Sequence, residues 1–158
     1  MGLREAIKVS NVPAYQEAAR RVGLEKMREA VARLDYGNRD IGGTVDDFWL
    51  EGPLEINSVE QCLFLKRLAL NELPMSDPVQ AAVREITVID SGDFGVLHAK
   101  TGTTARKAPG IGWWVGWIET PDGQVKTFAL NLDLVDGQTE TAQRIELGRA
   151  CLKAAGAW

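Results

Sequence analysis

Residues 94–134 read FGVLHAKTGTTARKAPGIGWWVGWIETPDGQVKTFALNLDL. Three strand-like runs stand out in this stretch: FGVLHAKTG, GWWVGWIE and VKTFALNLDL, each rich in β-branched and aromatic residues. Thr120-Pro121-Asp122-Gly123 joins the last two and carries the composition of a tight hairpin turn. A helix should follow, capped by Thr139 or Thr141, with Ile145, Gly148 and Leu152 opposite Gln143, Glu146, Arg149 and Lys153. Antiparallel strands closed by a helix predict an α+β fold.

Upstream of this stretch the chain reads as helical. Pro13 suits a first helical turn, AYQEAARRV follows, and Gly23 can stop it. LEKMREAVARL then spaces Leu24, Met27, Val31 and Leu34 at helical intervals. From Asp35 to Asn57 the pattern breaks: YGNRDIGGTVDDFWLEGPLEIN holds four glycines and a proline, which predicts a long ordered loop packed by its Phe and Trp. Ser58 to Leu70 reads as a helix apolar on more than one side, hence buried. Ser76 is the expected N-cap of SDPVQAAVREI, with Pro78 in its first turn.

Composition narrows the function. A chain of 158 residues is one domain's worth, and 45% hydrophobic with 25% charged residues is globular composition. The net charge of −4 with scattered basic residues offers no nucleic-acid footprint, and no apolar run approaches a membrane span. MGLREAIKVS lacks the apolar core of an export signal. One histidine, His98, and no CxxC argue against a metal site. Cys62 and Cys151 read as two buried thiols, with a disulfide left open.

The chemistry-bearing anchor is Lys100-Thr101-Gly102, at the end of a strand. A lysine charge, a hydroxyl that binds a carboxylate, and a glycine without Cβ suit a strand edge that holds a flat acyl group. Two-residue alternation puts His98 and Lys100 on one face and Thr101 on the other, so a strand presenting both Lys100 and Thr101 must twist or lie at a rim. Ser10 reads as an N-cap or turn hydroxyl, Val12 and Leu50 as core, Trp49 as a loop anchor, and Tyr36 and Asn38 as turn residues. Arg144 is either a solvated helix residue or a fork for a carboxylate.

Together these motifs resemble the class D (oxacillinase-type) serine β-lactamases. Ser10-Asn11-Val12 is similar to the family's S-x-V motif and Tyr36-Gly37-Asn38 to its Y-G-N. Phe48-Trp49-Leu50-Glu51-Gly52 resembles its omega-loop segment, and Lys100-Thr101-Gly102 its KTG. Gly112-Trp113-Trp114-Val115-Gly116-Trp117 and Phe128-Ala129-Leu130-Asn131 resemble the two strands that follow. The matches keep family order from near residue 3 to near residue 153.

The resemblance implies a transpeptidase-like fold, incomplete at its N-terminus, in a single partial domain. Residues 1–90 would be its mainly helical part, with the omega-type loop at 35–57, and residues 91–158 its strands and closing helix. It implies β-lactam hydrolysis through a serine acyl-enzyme, or, as the alternative, a penicillin-binding sensor that acylates without turnover. Ser10 would relay protons between base, nucleophile and Lys100. Trp49 would hold the family's carboxylated lysine, and Val12 and Leu50 would cover it. Thr101, Gly102 and the Thr103 N–H would receive substrate, and Arg144 its carboxylate, with Ser10, Lys100, Thr101 and Arg144 lining one cleft. No dissociable cofactor is implied.

One element departs from the family. It needs S-x-x-K, and none of the four serines (Ser10, Ser58, Ser76, Ser91) has lysine three residues on. Thr104-Ala105-Arg106-Lys107 has the spacing but not the serine. The expectation is a fragment or truncated frame of a longer, periplasmic parent, inactive alone, and partnered by a missing N-terminal segment or by its own copies as well as by β-lactams.

Overall fold

A computed structural model describes residues 2–104, 110–134 and 141–158. Thr139 and residues 105–107 of the Thr104–Lys107 stretch lie outside the described residues. Two compact units divide the chain, Met1–Asn57 and Ser58–Trp158.

The first unit holds α1 (Leu3–Lys8), α2 (Val12–Val22), α3 (Leu24–Leu34) and the loop that follows. Asn11, not Ser10, caps α2: its Oδ1 accepts the Ala14 N–H at 2.9 Å, with Pro13 in the first turn. Ser10 instead occupies the preceding turn at φ 50°, the left-handed region that polar residues enter at tight turns. Gly23, at φ 83°, ends α2 and caps the start of α3. The apolar stripe of α3 packs onto the loop: Val31, Ile41 and Phe48 are buried, and Leu24, Met27, Tyr36, Trp49 and Leu54 close around them.

The loop is ordered because its polar groups find partners. Asn38 Oδ1 accepts the N–H groups of Asp40 and Glu55, both at 3.1 Å, and its Nδ2 donates to Pro53 O at 2.8 Å. Gly37, at φ 54°, passes so close to Glu55 that a Cβ would overlap its carbonyl oxygen. Arg28 Nη2 donates to Gly42 O at 2.8 Å and Gln16 Nε2 to Asp46 O at 3.0 Å, tying the loop to α3 and α2.

The second unit holds α4 (Ser58–Ala69), α5 (Asp77–Thr87), four strands and α6 (Thr141–Ala154). The strands are β1 (Val88–Gly92), β2 (Gly95–Thr104), β3 (Gly110–Glu119) and β4 (Val125–Leu134), antiparallel and in chain order across the sheet. Asn131 Nδ2 meets Ser58 Oγ of α4 at 3.2 Å, and Asn131 pairs with Trp113 in β3, so α4 covers the Trp113 face. On the opposite face Leu97, Ala99, Trp114, Ile118 and Leu152 form the buried core under α6.

Three expectations need correction. β1 follows α5 with no intervening breaker and has no counterpart in the sequence reading. α4 is buried on one face rather than all round: Gln61, Leu65 and Leu68 are buried, while the apolar Val59 and Leu63 are 69% and 58% exposed. That pattern suits a helix lying on one sheet face. Cys151 is exposed and Cys62 only partly buried, and both are free. Ser76 stands at the N-cap of α5 as expected, without a side-chain hydrogen bond.

Candidate active site

Lys100, Thr101, Gly102 and Thr103 lie in the second half of β2. Register places Lys100 opposite Val115, Thr101 opposite Trp114 and Thr103 opposite Gly112. Thr101 and Thr103 therefore face α6 and Lys100 faces away, as two-residue alternation requires. Yet Lys100 Nζ reaches Thr101 O at 2.7 Å and comes within 3.4 Å of Thr101 Oγ1. The ammonium can wrap round because β1 pairs with β2 only as far as His98. Beyond that point no described strand covers the outer edge of β2, so this is the rim that alternation called for.

Arg144 approaches the same strand end from α6. It is 2% exposed. Its Nη1 donates to Gly102 O at 2.7 Å and its Nη2 to Thr103 Oγ1 at 3.1 Å. The solvated-helix reading is thus excluded: the guanidinium is held against the strand. Burial lowers the pKa of Arg144. Burial, and then the charge of Arg144, hold the Lys100 ammonium below the ordinary lysine range. Two cations are thereby concentrated at one strand end, which favours an anionic ligand.

His98 is buried among groups that sequence reading did not connect. Its ring stacks on Trp117 at 4.3 Å between centroids. Its Nδ1 lies 2.9 Å from Arg84 O, and its Nε2 3.5 Å from Glu119 Oε1. Glu119 also accepts from Trp117 Nε1 at 3.1 Å and Arg84 Nη2 at 2.8 Å. Burial alone would raise the Glu119 carboxyl, but these donors outweigh it and hold the carboxyl below its usual range. Nothing local in sequence marks such a cluster. Gly148 was more legible, since a glycine inside a helix costs about 1 kcal/mol and signals close packing.

The remaining candidates belong to the first unit. Ser10 is exposed, and Val12, the first residue of α2, is 37% exposed. Leu50 is partly buried. Trp49 packs edge-to-face on Phe48 at 4.9 Å. Tyr36 joins the Val31–Phe48 cluster, and Gly37 and Asn38 staple the loop as already described.

The chain is similar to known proteins along most of its length. The family model of the penicillin-binding-protein transpeptidase domain matches residues 1–153. β-Lactamase OXA-48 of Klebsiella pneumoniae is 43% identical over 129 residues, covering 82% of this chain and 48% of the relative. β-Lactamase OXA-5 of Pseudomonas aeruginosa is 39% identical over 157 residues, covering 98% and 58%. The chain thus spans about half the length of the curated relatives it matches. The crystal structure of FUS-1 (OXA-85), a class D β-lactamase from Fusobacterium nucleatum subsp. polymorphum, superposes with a TM-score of 0.92 at 43% identity, covering 99% of this chain and 64% of that one. The class D β-lactamase YbXI from Nostoc also gives 0.92, at 40% identity, covering 99% and 65%. This chain belongs to the penicillin-binding-protein transpeptidase family, and its relatives within that family are the class D β-lactamases.

Proposed function

We propose that this chain is the KTG-bearing part of an enzyme that hydrolyses β-lactams through a serine acyl-enzyme. The observation that carries the proposal is the meeting of Lys100 and Arg144 at Thr101–Thr103. A β-lactam presents a carboxylate next to its scissile amide. The Thr101 hydroxyl donates to that carboxylate while the two cations lower the energy of its charge; charge-assisted bonds of this kind contribute about 1.5–3 kcal/mol. The Thr103 backbone N–H serves the oxyanion that develops at the carbonyl, where a fixed donor acts most strongly. Gly102 leaves room for the acyl group at the strand edge. Ser10 is assigned the proton-relay hydroxyl, Trp49 the indole donor to the basic lysine, and Val12 and Leu50 the apolar cover of that base.

The acylated serine and basic lysine have no counterpart among these 158 residues. Hydrolysis therefore requires a segment that supplies S-x-x-K, and the chain alone is inactive. β-Lactams act outside the cytoplasm, so the working enzyme is assigned to the periplasm.

Two measurements test this. The purified chain should not turn over nitrocefin; turnover abolished by Ser10→Ala would show that the nucleophile lies within these residues. The DNA upstream of the Met1 codon should encode S-x-x-K in frame, and the longer product should hydrolyse nitrocefin and lose that activity in Lys100→Ala. Acylation without deacylation would replace the hydrolase by a β-lactam sensor.

A further inference from the structure

Two glycines outside the KTG segment determine where Arg144 can be. Gly112 sits on the α6 face of β3, opposite Thr103. A methyl built on it would come within 2.7 Å of Arg144 Cδ and 2.8 Å of its Nη1, and 2.9 Å of Leu134 Cδ2. Gly148 lies one turn after Arg144 on α6, and a methyl built there would overlap the Trp114 ring at Cε3 and Cζ3. Neither glycine has a positive φ, so neither is needed for backbone freedom. Both provide close approach.

The arrangement is reciprocal. On α6, positions 144 and 148 are successive on one face; on β3, positions 112 and 114 are successive on one face. The large Arg144 rests over the small Gly112, and the large Trp114 rests under the small Gly148. Trp114 is 1% exposed and Arg144 2%. Sliding α6 by one residue would drive a ring or a guanidinium into backbone, so shape fixes the helix along the strand.

We propose that Gly112 and Gly148 are positioning residues for Arg144: their sockets lock its guanidinium onto Gly102 O and Thr103 Oγ1 and so fix the second cation of the KTG strand end. An arginine held in advance loses little side-chain entropy when an anion arrives. The consequence for β-lactam carboxylates rests on the function proposed above; the positioning itself does not.

The test uses the full chain carrying Gly112→Ala, with Gly43→Ala as control, since a methyl on Gly43 meets nothing within 4 Å. In a crystal structure of Gly112→Ala the Arg144 Nη1–Gly102 O contact should be lost. By NMR of ¹³C-labelled lysine, the Lys100 titration should move up toward the ordinary lysine range, because Arg144 no longer opposes its charge. An unchanged contact together with an unchanged Lys100 titration overturns the proposal. Should Gly112→Ala fail to fold, Gly112→Ala/Leu134→Ala removes the aliphatic overlap and leaves the methyl only Arg144 to displace. A final arm compares benzylpenicillin with its methyl ester. The unmodified chain should prefer the acid by on the order of tenfold, and Gly112→Ala should lose that preference. Absence of the preference in the unmodified chain would defeat the carboxylate reading, while a shifted Lys100 titration would still uphold the positioning.

Discussion

The imidazole of His98 lies face to face with the indole of Trp117, its ring plane 7° from parallel. The partner of Nδ1 is a carbonyl, Arg84 O, which can only accept, so Nδ1 carries a proton, while Nε2 lies 3.5 Å from Glu119 Oε1. Thr87 Oγ1 lies 3.3 Å from Nδ1, and the charge of Arg84 also acts on the ring.

Burial pushes the His98 pKa down, more than the Glu119 carboxylate raises it. As pH falls, the unfolded chain, with its histidine near about 6.5, takes up the proton first. Stability contributed by neutral His98 is thus complete above about pH 6.5 and declines below it. The urea midpoint should fall between about pH 7 and pH 5, and His98→Gln should flatten that decline. An equal slope in His98→Gln would remove His98 as its source.

Asn38 carries three side-chain hydrogen bonds within one loop. Asn38→Ala should cost on the order of 1–2 kcal/mol, less than three full bonds because the site is open to water. Limited proteolysis should then cut residues 39–57 sooner than in the unmodified chain. Resistance equal to the unmodified chain would show that Gly37 and the Phe48 core hold the loop without it.

Gln80, 2% exposed, accepts the Leu73 N–H and donates to Leu73 O and Met75 O. Gln80→Leu keeps the volume and strands those backbone groups, at about 1–3 kcal/mol for each one left buried. Thermal unfolding should show a lower Tm, and Gln80→Glu, which retains the acceptor, should lie between. A Tm unchanged in Gln80→Leu would mean that water replaces the amide.

Gly148→Ala sets two effects against each other. Alanine gains about 1 kcal/mol over glycine in a helix. Overlap with the buried Trp114 ring costs about 1–3 kcal/mol or more. Net destabilisation is expected, with a shift in Trp114 emission; a gain in stability would show that α6 can lift without penalty.

How legible all this was depended on distance along the chain. β2, β3 and β4 could be read because β-branched and aromatic residues fill them and Thr120–Gly123 marks the turn. β1 could not: Val88 continues α5 directly, and its five residues carry no alternation that a sheet face would impose. The cap of α2 was ambiguous because Ser10 and Asn11 are both capping types, and only geometry chose Asn11. Lys100–Thr101–Gly102 was visible as a tripeptide. That Arg144 meets Gly102 and Thr103 depends on a contact 42 residues apart, and the Arg84–Glu119 pair on one 35 apart.

The neighbour-to-neighbour strand order bears on how the sheet assembles. Loop-closure entropy grows with the length that must be closed, and Thr120–Gln124 is a short connection, so the β3–β4 ladder can zip outward from its turn on the microsecond scale of hairpins. α6 has no surface to dock on until Trp114 is in place between its neighbouring strands. In the folding transition state, side chains at the turn should accordingly be close to native and those of α6 far from it. Arg144 would then be among the last groups to arrive, reaching a strand end that is already built.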